Sequence, residues 1–351
     1  MVNYIYLVFE GKMDIKAFKN DIKNILIIRR NNIGDMICAI PVLRTIRREF
    51  PQAQITVLAD GTNAGIIEGA SFIDSLLVLK KNNDIYKNKY IACWKLLHQT
   101  NKKKFDLAIA LKIGFSSTLS LITLISGARL RLGCVSEKWH PLQLCYNLHV
   151  TGWKKWKSMH QIDALFEFIK TIGIENPIKD ISIELRHDSR NKVRNFFKEN
   201  KIQADNNIVV FNISNNKPEN TWSVERFREV SDILLKQYRA NCIITSSPAD
   251  KDKAAGLLKE INNNAVYFET PKVMDFAALV AESALLICGE GGAMHIGAGV
   301  HTPTISLWGK YRPVKWMPYG EQQFVIKKDE HVNSISAEDV LEVVKKNNLL
   351  K

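Results

Sequence analysis

Short runs rich in apolar and β-branched residues recur along this chain, separated by polar or glycine-rich turns and by apolar residues at helical spacing. Residues 25–28 read Ile-Leu-Ile-Ile, residues 55–58 Ile-Thr-Val-Leu and residues 304–307 Thr-Ile-Ser-Leu. A run apolar at nearly every position suits a strand covered on both faces, as in a parallel sheet flanked by helices. Strand, helix, strand, helix at short spacing therefore predicts open parallel α/β sheets. In the first half, strands are expected at 25–28, 55–58, 75–79 and 106–111, with a further segment at 129–133. Helices are expected at 37–50, 62–69, 91–97 and 116–126. Pro41 lies inside the first helical pattern, so its first turn is kinked or separate. Residues 134–160 read as irregular, and a helix at 160–172 stops at Gly173.

The second half repeats the scheme. Strands are expected at 208–213, 242–245, 265–268, 284–288 and 304–307. Helices are expected at 188–200, 222–238, 249–260 and 273–282, after the glycine turn at 289–292, and at 336–348. At roughly 150 residues per domain, 351 residues make two domains. The expected division is an N-terminal extension at 1–23, a first domain at 24–175, a connection at 176–187, a second domain at 188–330 and a C-terminal segment at 331–351. Two such domains create a cleft, a preferred place for ligands.

Composition narrows the class. Hydrophobic residues make up 46% and charged residues 24%, which excludes a disordered tail or a collagen-like fibre. The six Cys form no C-x-x-C pair, and a chain this long buries a core without staples; free thiols in a reducing compartment are expected, and no structural metal site. The apolar run at 4–9 is too short for a signal-peptide core, and no stretch approaches the roughly 20 apolar residues of a spanning helix. A cytoplasmic protein is expected, able to rest on a membrane surface. The net charge is +13, which favours an acidic partner: nucleic acid, an anionic membrane face or a phosphorylated substrate. No recognition helix, aromatic RNA-binding pattern or zinc module supports nucleic acid.

Four motifs carry candidate chemistry. Residues 29–35 (Arg-Arg-Asn-Asn-Ile-Gly-Asp) form a turn between strand and helix, with Gly34 giving freedom and Asp35 landing at the helix N-terminus. Asp35 is either a helix cap or, at a strand end where α/β ligand crevices form, a general base. Residues 287–295 (Ile-Cys-Gly-Glu-Gly-Gly-Ala-Met-His) end a strand, turn on glycines and open a helix. Backbone N–H groups and the helix dipole there suit a diphosphate. The spacing is neither G-x-G-x-x-G nor a P-loop, against a nicotinamide dehydrogenase or an ATPase. Asn212, Ser214, Asn215, Asn216, Lys217, Asn220 and Thr221 crowd another strand end, either as a solvated loop or with Lys217 on a phosphate. Arg129, Arg131, Lys154, Lys155 and Lys157, interleaved with Trp153 and Trp156, form either a solvated face or a site for an acidic acceptor or membrane.

The segment ILIIRRNNIGDMICAIPVLRTIRREFP resembles the opening of the heptosyltransferases, glycosyltransferase family 9. ALLICGEGGAMHIGAGVHTPTISLWG resembles that family's donor-site pattern, Asp-[Ser/Thr]-Gly-x-x-His followed by small residues and Pro-Thr. The resemblance runs from about residue 25 to about residue 316. It implies a GT-B fold: two Rossmann-like domains with parallel sheets facing across a cleft. The N-terminal domain would hold the acceptor and the C-terminal domain the nucleotide sugar, with the last helix bracing the N-terminal domain. It implies inverting transfer of a heptose, from ADP-heptose, to a hydroxyl of the lipopolysaccharide core. No protein-bound metal or further cofactor is implied.

Asp35 matches the family's general base, and Asn32 and Gly34 lie beside it on the acceptor side with the basic set above. Glu290, Gly291, Gly292, Ala293 and His295 match the donor pattern, joined by Asn212, Ser214, Lys217, Asn220 and Asp250. There are departures. The pattern's Asp is Glu290 and its Ser/Thr is Gly291; the family's Lys two residues before Trp222 is Asn220, with Lys217 upstream. Asp250 or Asp252 matches an acidic residue near the ribose. The alternatives left open are a different sugar or nucleotide and a catalytically weak relative that binds a nucleotide sugar. Residues 80–157 hold fifteen Lys and Arg against three acids, so the charge is expected to face the anionic acceptor and the membrane carrying it.

Overall fold

The computed structural model of the chain describes residues 20–79, 94, 98, 104–203, 207–215, 217, 220–261, 265–310 and 313–351. Most of the expected N-terminal extension, and the helix expected at 91–97 apart from Trp94, lie outside these residues. The chain divides into two compact units, Met1–Asp180 and Ile181–Lys351. The boundary falls within the connection expected at 176–187.

In the first unit, strands β1 (Asn24–Ile28), β2 (Gln54–Asp60), β3 (Ser75–Leu79), β4 (Leu107–Ala110), β5 (Leu130–Cys134) and β6 (Leu148–Val150) form one sheet. Their order is β3-β2-β1-β4-β5-β6, and every pairing is parallel. The central run is the most buried: Ile25, Leu26, Ile27 and Ile28 are fully enclosed, as their apolar sequence requires. The helical pattern at 37–50 splits into α1 (Ile33–Ile37) and α2 (Ile40–Glu49). Pro41 occupies the first turn of α2, where its missing N–H has no intrahelical partner to lose. Among the described residues, helices α3 (Ser117–Ile125) and α4 (Gln161–Lys170) are the unit's other longer elements.

In the second unit, β7 (Ile208–Asn212), β8 (Asn241–Thr245), β9 (Ala265–Tyr267), β10 (Leu285–Gly289), β11 (Thr304–Trp308) and β12 (Gln323–Lys327) are again parallel, in the order β12-β11-β10-β7-β8-β9. They alternate with α5 (His187–Glu199), α6 (Val224–Tyr238), α7 (Lys251–Glu260), α8 (Val273–Ala281) and α9 (Gly292–Gly299). The final helix α10 (Ala337–Lys346) starts at a capping box, Ser336 with Asp339. Its apolar face, expected to brace the N-terminal domain, is buried in the second unit's own core: Val340 and Val344 pack with Trp222, Phe227 and Leu234.

Both sheets share one topology. Each runs three strands outward from its first strand and then restarts on that strand's other side. The order reverses between β1 and β4 in the first unit and between β7 and β10 in the second. In open α/β sheets, ligands bind outside the carboxyl ends of the strands at such a switch point. The strands β6 and β12 were not expected from the sequence. Both are edge strands: β6 has three residues and β12 is half-buried along most of its length, so neither carries a strong apolar run.

Candidate active site

At the first switch point, β1 ends in a buried charge. Arg29 is 1% exposed, and its guanidinium makes three hydrogen bonds. Its Nε donates to the Asp35 carbonyl at 2.8 Å, its Nη2 to Asp35 Oδ1 at 2.9 Å, and its Nη1 to the Leu111 carbonyl at the end of β4, at 2.8 Å. Among the described residues, the second carboxylate oxygen, Oδ2, accepts only a long bond from the Asn32 N–H, at 3.4 Å. The Asp35 side chain is 12% exposed. Asp35 is not the helix cap: Asn32 is, and Asp35 is the third residue of α1.

The turn is held from its other side as well. Arg30 Nε donates to Asp60 Oδ1 at 2.7 Å, and the Asn31 N–H to Asp60 Oδ2 at 3.3 Å. Gly34 was expected to supply backbone freedom, but it is helical; the left-handed residue is Asn31, with φ of 102°. Asn is one of the few side chains that tolerate that region, and its carbonyl accepts from Thr62 Oγ1 at 3.1 Å.

The structure divides the basic set. Lys154, Lys155 and Lys157 follow β6 and so lie at the carboxyl edge, the edge of Asp35. A cavity of about 470 Å³ opens there, lined in part by Lys112, Phe115, Lys138, Trp153 and Lys157. The Trp153 indole donates to the Val135 carbonyl at 2.8 Å, and Lys157 Nζ lies 4.8 Å from the Trp153 ring centre. Gly114, with φ of +98°, passes so close that a Cβ would stand 3.3 Å from this ring. Lys154 pairs with Glu137. Arg129 and Arg131 do not join them. They stand at the start of β5, the opposite edge, and Arg131 is occupied by the Cys145 and Ala128 carbonyls at 2.6 and 2.9 Å.

At the second switch point, the loops after β7 and β10 are bonded together. Asn215 Nδ2 donates to the Glu290 carbonyl at 2.8 Å and reaches the Asn220 carbonyl at 3.3 Å. Asn220 Nδ2 donates to Glu290 Oε2 at 2.7 Å, and Lys217 Nζ meets the same oxygen at 3.4 Å. Asn220 is fully buried, and the Glu290 side chain is 12% exposed. A Cβ on Gly289 would lie 2.7 Å from the Asn220 carbonyl and 2.9 Å from Asn215 Nδ2, so only glycine fits this approach.

Helix α9 begins at Gly292 with Gly291 before it, and Gly291, Gly292 and Ala293 are half-buried. The N–H groups of a first turn have no intrahelical acceptor, so this end presents donors and a partial positive charge. His295 is buried, its ring edge-on to Trp316 at 6.3 Å. Around the neighbouring strand end, Asn212 Nδ2 donates to Thr245 Oγ1 at 3.3 Å and the Ser247 N–H to Ser214 Oγ at 2.7 Å. Asp250 accepts from Lys253 at 2.8 Å and from Ser247 at 2.9 Å; the Lys253 bond leads in holding its carboxyl below the usual range. Asp252 is exposed on α7. Among the described residues, no group of three His, Cys, Asp or Glu is placed to hold a metal ion.

Two residues of this arrangement were named in the sequence motifs but given no role. Asn215 bridges both loops at the second switch point, and nothing in a run of polar residues singled it out. Arg29 had a signal: a charge directly after four buried apolar residues has to be paired.

Residues 93–345 match the model of glycosyltransferase family 9 (heptosyltransferase). That match begins beyond the turn carrying Asp35. The lipopolysaccharide core heptosyltransferase OpsX of Haemophilus influenzae is 22% identical over 312 residues, covering 87% of this chain and 84% of the relative. A family 9 glycosyltransferase structure from Veillonella parvula superposes with a TM-score of 0.81 at 20% identity, covering 92% of this chain and 96% of that one. Escherichia coli heptosyltransferase WaaC, solved with ADP-2-deoxy-2-fluoro heptose, gives 0.73 at 16% identity, covering 92% and 99%. The two Rossmann-like, parallel-sheet domains expected of a GT-B protein are both present.

Proposed function

The chain belongs to glycosyltransferase family 9, the heptosyltransferases, and on that premise we propose that it moves a heptose from ADP-heptose to a hydroxyl of the lipopolysaccharide core, with inversion. The observations carrying this reading are two unlike switch points, one in each unit. One holds a carboxylate with a lightly engaged oxygen, Asp35 Oδ2. The other holds a helix N-terminus, Gly291 and Gly292, next to a lysine, Lys217. Proton removal needs the first, and binding a diphosphate needs the second.

In the proposed reaction, the acceptor hydroxyl gives its proton to the Asp35 carboxylate as its oxygen attacks the anomeric carbon of the donor. The bond from that carbon to the diphosphate breaks, and the nucleoside diphosphate leaves. N–H groups of Gly292 and Ala293, with Lys217, meet the charge that develops on the departing oxygen. Asp250 is proposed to meet the donor's ribose. Asp35→Asn is expected to abolish transfer while ADP binding persists, measured as ADP-heptose turnover on heptose-less lipopolysaccharide and as calorimetric titration with ADP. Retained transfer would remove Asp35 from this role.

A second reading is favoured by one feature. Glu290 is turned onto Asn220 and Lys217, so part of the lysine's charge is already met. A donor with a different sugar or base would fit such a changed site. A thermal-shift panel of nucleotides and nucleotide sugars separates the readings, because the true donor stabilises the fold most at equal concentration.

The acceptor side is proposed to work at an anionic membrane face, from the cytoplasm. Trp139 is 72% exposed and Leu144 66% exposed, with Lys138 and Lys155 exposed nearby in sequence. Exposed aromatic and aliphatic side chains among lysines suit a bilayer interface. Among the described residues no helix is long and apolar enough to cross a membrane.

A further inference from the structure

We infer that Arg29 is a positioning residue for Asp35, and that it selects Oδ2 as the oxygen that takes the acceptor's proton. The inference rests on the reading of Asp35 as general base.

The guanidinium acts on Asp35 at two points at once. One nitrogen holds the backbone carbonyl and another holds Oδ1, at 2.8 and 2.9 Å, so both the residue's place in the turn and its side-chain rotation are fixed by one planar group. The third bond, to the Leu111 carbonyl, ties this group to the end of β4, across the switch point. With Arg29 1% exposed, water competes little for these bonds. Oδ1 is then occupied by a strong donor. Among the described residues Oδ2 has only the 3.4 Å contact with the Asn32 N–H and so retains its capacity to accept.

The surrounding turn is built for the same rigidity. Arg30 and the Asn31 N–H both engage Asp60, and Asn31 is held at φ of 102°, a conformation that persists in a non-glycine residue only when its neighbours over-determine it. A general base acts only within hydrogen-bond reach of the proton it removes, and small misplacements are costly. The step balances: the O–H bond of the acceptor breaks, the proton passes to Asp35 Oδ2, the new glycosidic bond forms and the bond to the diphosphate breaks. The proton then leaves to solvent.

The test is a double-mutant cycle on the full chain, with ADP-heptose and heptose-less lipopolysaccharide as substrates and ADP release as readout. Arg29→Met is expected to lower kcat about 100-fold, with KM for both substrates changed by less than about threefold. Arg29→Lys is expected to recover about tenfold of that loss, since an ammonium can reach Oδ1 but cannot hold the carbonyl in a fork. The double variant Arg29→Met with Asp35→Asn is expected to be no slower than Asp35→Asn alone, because Arg29 acts through Asp35. A wild-type kcat in Arg29→Met overturns the inference, and so does a double variant whose losses multiply. If Arg29→Met fails to fold, Arg29→Lys decides: reduced kcat at unchanged KM supports the inference and wild-type kcat overturns it. An inactive Asp35→Asn beside an active Arg29→Met sinks only the positioning role. An active Asp35→Asn sinks the base assignment and this inference with it.

Discussion

The Asn220 side-chain amide donates to the Glu290 carboxylate at 2.7 Å, joining the loops that follow β7 and β10. The two residues are seventy positions apart in sequence and meet only because those strands are neighbours in the sheet. In the sequence both stand where the resemblance to the family pattern breaks, and in the fold the neutral amide and the carboxylate bond to each other.

Asn220→Ala leaves a largely buried carboxylate with one donor fewer. The expected cost is about 1–3 kcal/mol, read from urea denaturation of the full chain. No change in midpoint would mean that Lys217 and solvent already satisfy Glu290.

Gly289→Ala would set a methyl against the Asn220 carbonyl and Asn215 Nδ2, at 2.7 and 2.9 Å. The first of these is backbone and cannot swing aside. The loops must part, so ADP affinity should fall by at least about tenfold while far-UV circular dichroism stays native, at an overpacking cost of roughly 1–3 kcal/mol. Calorimetric titration checks it; unchanged affinity would place the nucleotide elsewhere.

The buried thiols set an alkaline limit. Burial pushes Cys38 and Cys134 up from 9.0 to about 12 and Cys242 to about 11, and raises Cys288 as well. A thiol whose proton is held more tightly in the folded state than in the unfolded state contributes fully below the unfolded value and loses that contribution as pH rises through the folded one. That contribution should be complete below about pH 9 and decline as pH rises towards 11 and 12. Urea midpoints at pH 8 and 10.5 should show the loss, and a Cys242→Ala variant should show a smaller one. The same thiols should resist alkylation at pH 8 until the chain unfolds.

Salt should separate the two substrates. Exposed lysines at the carboxyl edge of the first sheet are screened within roughly 10 Å at 0.1 M salt. Binding to vesicles of phosphatidylglycerol in phosphatidylcholine should therefore weaken strongly between 50 and 500 mM salt, and ADP binding weakly. Equal salt sensitivity would argue against a lipid-facing first unit. Trp139→Ser should weaken vesicle binding with little effect on ADP.

Much of the fold was legible because parallel strands buried on both faces write continuous apolar runs, as at Ile25 to Ile28. The edge strands β6 and β12 were not, since half-exposed strands lack that signal. Asp35 and the glycine turn at Gly291 stood out because strand ends in α/β sheets are where polar residues interrupt a buried pattern. The basic set misled in part. Arg129 and Arg131 are close in sequence to the lysines after β6, but a parallel sheet separates the start of one strand from the end of the next by the strand's full length.

The sequence by itself determined two parallel α/β units and the positions where polar residues interrupt the strands, because these follow from local periodicity and turn chemistry. The tertiary structure alone decided which polar groups meet. Asn215 and Asn220 join Glu290, and Arg29 holds Asp35 against the end of β4, through strand order and hydrogen-bond geometry. Local patterns carry no information about neighbours that are far apart in the chain and adjacent in the sheet.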